Sequence, residues 1–233
     1  SYISDIHFKS IALILILKTR GLGLVLPKRI AVIPFLLGLI TVIYTMALLN
    51  AIEVLPLAIA ILIFYLFPIF TGLMLAVFRW QKLSFTMVIS SLIAFLGITL
   101  ALGAEFINLD GWGIIYAATA AIGLATVSVI SNRLMADENP LLVILYLSIS
   151  ATLILVIVCL LEGGFVLPKI SAGWISIVIS QMFFAYAMIA FFIAISIIGA
   201  GETTFYNNIE PIMAVGAGFL FLNQNLTILQ YTG

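Results

Sequence analysis

The segment EPIMAVGAGFLFLNQNLT, residues 210–227, lies over FPIFTGLMLAVFRWQKLS, residues 67–84, at an offset of 143. Pro68 meets Pro211, Ile69 meets Ile212, Phe78 meets Phe221, Gln81 meets Gln224 and Leu83 meets Leu226. The same offset pairs Ala47 with Ala190, Ala51 with Ala194 and Ile52 with Ile195. The tetrapeptide VLPK occurs at 25–28 and again at 166–169, so a slip of two residues in a loop reconciles the two registers. The chain therefore reads as two copies of one unit of about 140 residues.

The material between these landmarks decides what the unit is made of. Of the 233 residues 65% are hydrophobic and only 8% charged, far below the share that a water-soluble surface requires. Apolar runs recur at the length needed to cross about 30 Å of hydrocarbon. They place helices at 2–17, 31–50, 55–78, 84–103, 112–132, 140–161, 173–197 and 203–222, with another beginning near 226. The runs do not alternate polar with apolar residues, which argues against a transmembrane barrel. Trp80, Trp112 and Trp174 each fall at an expected helix end, where an amphipathic ring sits well among headgroups.

Charge gives the direction of travel. One alternate set of loops (18–30, 79–83, 133–139 and 198–202) holds Lys18, Arg20, Lys28, Arg29, Arg79, Lys82 and Arg133. The other set (51–54, 104–111, 162–172 and 223–225) holds Lys169 alone, so the first set is expected to face the cytoplasm. Five helices separate each repeated element from its copy. An odd number makes the second copy cross in the opposite sense, the inverted repeat of proteins that open one central site to either side in turn. The expected fold is all-α and polytopic, an inverted 5+5 helix repeat. Residues 1–104 form a first repeat lacking its first helix, and 105–233 a second lacking most of its last.

Short loops and a 5+5 inverted repeat resemble the drug/metabolite transporter superfamily, in particular its EamA-type ten-helix branch. The resemblance rests on FYLFPIFTGLMLAVFRWQKLSFTMVISSLIAFLGITLAL at 64–102 and YNNIEPIMAVGAGFLFLNQNLT at 206–227. These look like the proline-bearing fourth and ninth helices of that branch, the first running on into the fifth. DIHFKSIALIL at 5–15 looks like its second helix, with Lys9 where a basic residue is usual. Gln81 and Gln224 stand where the family usually carries a glutamate. The resemblance implies a secondary transporter of the cytoplasmic membrane, working outward on a small organic solute.

Against this apolar background GAGETTFYNNIEPIMAVG, residues 199–216, is unusually polar. Glu210 falls near the middle of the expected helix 203–222, where a carboxylate costs several kcal/mol unless it meets a partner or a cavity. Spacings of three and four put Thr203, Tyr206, Asn207 and Glu210 on one helical face. The first-repeat equivalents are Ala60, Ile63, Phe64 and Phe67, so the repeat itself does not demand a polar stripe. Pro211 cannot donate to the carbonyl of Asn207, nor Pro68 to that of Phe64, which marks two related helices as places to bend. Tyr44, Tyr65, Tyr116, Gln181 and Tyr186 add polar groups at membrane depth, and the tyrosines suit a cavity for an organic solute. Thr41, Thr119 and Tyr146 are read as packing or interhelical groups, and Ala117, Ala121 and Ala125 as a surface for close helix packing.

Other chemistry has little to stand on. No Walker A, HExxH, CxxC or G-x-S-x-G pattern occurs; His7 and Cys159 are single, and no metal or cofactor is implied. Nine basic and nine acidic residues give no pull toward nucleic acid. A solute gradient, an exchanged solute or protons must supply the energy. A facilitator or exchanger in which Glu210 never changes protonation stays open, as do a membrane-embedded enzyme and a non-transporting subunit.

Overall fold

The computed structural model describes residues 28–80, 85–102, 109–161 and 171–222. The expected helix 2–17 with His7 and Lys9, the loop glutamines Gln81 and Gln224, nearly all of both VLPK copies and the helix near 226 lie outside these residues. Nine helices are described: α1 Lys28–Val54, α2 Leu57–Phe64, α3 Phe67–Val77, α4 Phe85–Leu102, α5 Gly111–Asp137, α6 Pro140–Leu161, α7 Ser171–Ile198, α8 Ala200–Tyr206 and α9 Ile209–Leu222. Among the described residues five stretches are long and apolar enough to span a membrane: Ile30–Val54, Leu57–Val77, Gly111–Asp137, Pro140–Leu161 and Gly173–Ile198. This is a polytopic α-helical membrane protein.

Helix ends follow local chemistry. Asp110 Oδ1 accepts the Gly113 N–H at 2.9 Å and starts α5; Asn139 Oδ1 accepts the Leu141 N–H at 3.0 Å and starts α6, with Pro140 in the first turn. Gly199, at φ 93°, ends α7 in the left-handed region, its N–H bonded to the Ile195 carbonyl at 3.0 Å. Arg79 takes φ 57° after α3 while Trp80 N–H reaches back to the Leu75 carbonyl at 2.9 Å. The Phe78 and Trp80 rings stack across this turn at 5.1 Å. Trp80, Trp112 and Trp174 all sit at helix ends and are exposed, as the sequence suggests.

Two expected helices, 55–78 and 203–222, are each broken. The first pauses at Tyr65 and Leu66, the second at Asn207 and Asn208. α2 and α8 start 143 residues apart, at Leu57 and Ala200, the same offset that aligns the sequences. Both breaks lie just before a proline, because a proline clashes with the turn that precedes it.

The chain groups into two compact units, and each draws on both expected repeats. One holds residues 28–42 with 130–199, the other 43–129 with 200–222. In the first, α6 packs on α7, and a β-carbon at Gly38 would run into Ser150 and the backbone of Ala151. That contact lets Ser150 Oγ donate to the Leu147 carbonyl at 2.9 Å and lie 3.3 Å from the Pro34 carbonyl. Lipid tails are as apolar as leucine, so helices are held by such close packing and not by water exclusion.

In the second unit α3 packs on α8, α9 on α4, and α2 on α4. Ala51, Leu55, Ile59, Ala60 and Ala117 form a buried cluster there. Gly113 makes room for Val54 and Leu55, and Gly123 for Tyr44. Ala117, Ala121 and Ala125 are fully buried, in keeping with their reading as packing residues.

Candidate functional site

Most hydroxyls within the helices are occupied by their own backbone. Thr41, Thr71, Thr99, Thr119, Thr126, Ser128, Thr152 and Thr204 each donate to the carbonyl four residues earlier, at 2.7–2.9 Å. Thr41 and Thr119 are thereby satisfied without a ligand. Among the described residues, a buried hydroxyl without a partner lies at Ser131, while the second helix break holds two amides and a carboxylate.

There the chain is tightened and not opened. Glu210 N–H donates to the Asn207 carbonyl at 3.0 Å and Asn208 N–H to the Phe205 carbonyl at 3.1 Å. The Asn207 carbonyl, expected to be free because Pro211 cannot bond it, is therefore taken one residue earlier by a three-residue turn. Asn207 Nδ2 also donates to Glu210 Oε2 at 3.0 Å. Tyr65, at the break between α2 and α3, lies close enough to the same carboxylate for its charge to act on the phenol. Three of the expected site residues thus come together: Tyr65, Asn207 and Glu210. Tyr65 is buried, Asn207 half-buried and Glu210 exposed. Glu210 is ten residues from the start of α8 and twelve from the end of α9, midway along the two helices together.

The expected stripe does not survive as one face. Thr203 is buried at 5% exposure while Tyr206, in the same helix α8, is 65% exposed, and beyond them the helical phase is lost at Asn207 and Asn208. Tyr44 is half-buried against Gly123, and Tyr116 packs on the Ala51–Ala117 cluster with its ring 6.5 Å from Trp112. Gln181 is half-buried and Tyr186 exposed on α7, in the other unit.

Asn208 was not singled out by sequence, yet its Oδ1 is buried with no hydrogen-bond partner among the described residues. The offset of 143 could have found it, since it places Asn208 on Tyr65. The same offset places the aromatic set Phe64, Tyr65 and Phe67 on Asn207, Asn208 and Glu210. The three rings pack against one another with centroids 5.7–6.0 Å apart. No group of three or more metal-ligating side chains occurs among the described residues.

Two discontinuous helices, one of them carrying a carboxylate and two amides at its break, mark a polar site in an apolar membrane protein. Residues 111–233 match the model of the EamA-like transporter family, which is over half of the chain. The chain belongs to that family. A solved structure, described only as a crystal structure of a protein, matches over 99% of this chain and 82% of its own, with a TM-score of 0.78. At 19% identity it supports the fold alone. No curated protein matches. The family describes a membrane transporter, and a small solute as its cargo.

Proposed function

We propose that this protein is a secondary transporter of the cytoplasmic membrane that exports a small organic metabolite or amphipathic compound by alternating access. In this reading the two repeats are inverted and the solute site lies at the broken helices. The observation that carries it is Glu210, midway along α8 and α9, exposed, near Tyr65 and hydrogen-bonded by Asn207. A carboxylate at that depth costs several kcal/mol against lipid, so its exposed side belongs to a water-filled path. Breaks at related positions in two helices give the bundle places to bend around that path.

Protons are the proposed coupling ion, with Glu210 as the carrier group. The test is solute flux in proteoliposomes with and without an imposed pH gradient, in the unsubstituted protein and in Glu210→Gln. A proton-coupled carrier loses gradient-driven accumulation in Glu210→Gln and keeps exchange. Unchanged accumulation would assign Glu210 to scaffolding; equal flux with and without the gradient would make the protein a facilitator.

A further inference from the structure

We infer that the turn ending α3 is a binding site for an anionic phospholipid, with Arg79 on the phosphate and the Phe78 and Trp80 rings against the lipid chains. The site lies outside the helix breaks and stands whatever the protein transports.

The membrane-length stretch Leu57–Val77 is followed at once by Phe78, Arg79 and Trp80, so these residues fall where hydrocarbon gives way to headgroups. α3 buries Phe67, Pro68, Thr71, Gly72 and Leu75, but Val77 and the three residues after it are all exposed. Three backbone bonds tie the turn. Phe78 N–H donates to the Met74 carbonyl at 2.9 Å, Arg79 N–H to Ala76 at 3.0 Å and Trp80 N–H to Leu75 at 2.9 Å. The last of these closes the chain around Arg79, whose φ of 57° is a value that helix ends usually give to glycine. A guanidinium is thus kept where a hydrogen atom would be easier, and no ion pair or side-chain hydrogen bond occupies it among the described residues. Backbone strain held for an unpaired cation points to an anion from outside the chain.

The rings on either side of Arg79 say which anion. Phe78 and Trp80 stack with centroids 5.1 Å apart and planes at 29°, which sets an exposed apolar plate beside the cation. A free phosphate would use the guanidinium and leave the plate bare. A phospholipid uses both: its phosphate accepts two guanidinium N–H bonds while its upper chain lies on the rings. The local sequence favours net negative charge in the headgroup, since Lys82 follows and no acidic residue stands between Glu53 and Glu105.

Lipids brominated on their chains quench a tryptophan that they touch, so Trp80 itself reports the occupant. Trp112→Phe and Trp174→Phe, both at exposed helix ends, leave Trp80 as the only indole. In neutral detergent, brominated phosphatidylglycerol should quench Trp80 at about fivefold lower mole fraction than brominated phosphatidylcholine, the factor that one basic residue is worth at an anionic surface. Added salt should shrink that preference. Arg79→Gly removes the cation and eases the backbone, so the variant folds and the preference should vanish. Arg79→Lys keeps the charge without the planar fork and should keep part of it. Glycerol phosphate, a headgroup without chains, should leave the quenching as it is. Equal quenching by the two lipids in the protein with Arg79 overturns the site. So does a preference that survives in Arg79→Gly. Relief of quenching by glycerol phosphate overturns the lipid and makes a free phosphate the ligand.

Discussion

The chain interrupts a membrane-length helix twice, at 65–66 and at 207–208, and fills the two interruptions with opposite chemistry. Phe64, Tyr65 and Phe67 close the first with packed rings, while Asn207, Asn208 and Glu210 line the second with amides and a carboxylate. Proline follows each break at the equivalent position, Pro68 and Pro211, and both prolines are buried. What the two share is therefore backbone geometry, and what divides them is the side chains. The interruption belongs to the architecture. The polarity at the second belongs to that copy alone.

The sharpest way to break this contrast is to truncate equivalent residues on each side. Phe67 is wholly buried, so Phe67→Ala should cost about 3–5 kcal/mol in unfolding free energy in detergent. Glu210→Ala, at the exposed equivalent, should change stability by about 0.5 kcal/mol or less. Its solute flux should nonetheless fall by one to two orders of magnitude, the worth of the lost charge-assisted hydrogen bonds. A large stability loss in Glu210→Ala with normal flux would make both breaks structural.

Asn208 and Tyr65 offer a second pair. Removing a buried acceptor that has no donor should be neutral or stabilising, so Asn208→Leu should raise the unfolding free energy by about 1–2 kcal/mol. Tyr65→Leu should lower it. A loss in Asn208→Leu would mean that Asn208 Oδ1 has a donor in the working protein. Smaller effects are expected at the prolines. Because Glu210 N–H already occupies the Asn207 carbonyl, Pro211→Ala should leave the break in place. Hydrogen exchange at 207–210 should be unchanged and stability change by about 1 kcal/mol or less. The smallest lies outside the breaks: Arg79→Gly should gain about 0.5–1 kcal/mol by relieving a positive φ, measured in the same unfolding assay.

The described spans were legible because runs of about 20 apolar residues have one stable form in lipid, a helix that satisfies its own backbone. Their ends shift by a few residues. α5 runs to Asp137 and not 132, since a helix can continue into water beyond Arg133. The breaks were half legible. Pro68 and Pro211 marked the right helices, but the interruption falls two to four residues ahead of each, where the proline ring meets the preceding turn. Losing helical phase at Asn207 and Asn208 takes Glu210 off the straight-helix register of Thr203 and Tyr206, and within α8 Thr203 is buried while Tyr206 is exposed. The pairing of Tyr65 with Glu210 was not legible. A single sequence carries no record of contacts between residues so far apart, and only the repeat offset hints that the two breaks are related.

α8 has seven residues, too few to hold a helix by its own hydrogen bonds, and its described long-range packing is on α3. α3 leaves the ribosome about 130 residues earlier. During synthesis, therefore, one face of α3 waits without its partner while much of the chain is still being threaded into the membrane. The second break can take shape only when α8 arrives and docks. Biogenesis of this protein then has a step that waits on α8, and the polar second break forms only after it.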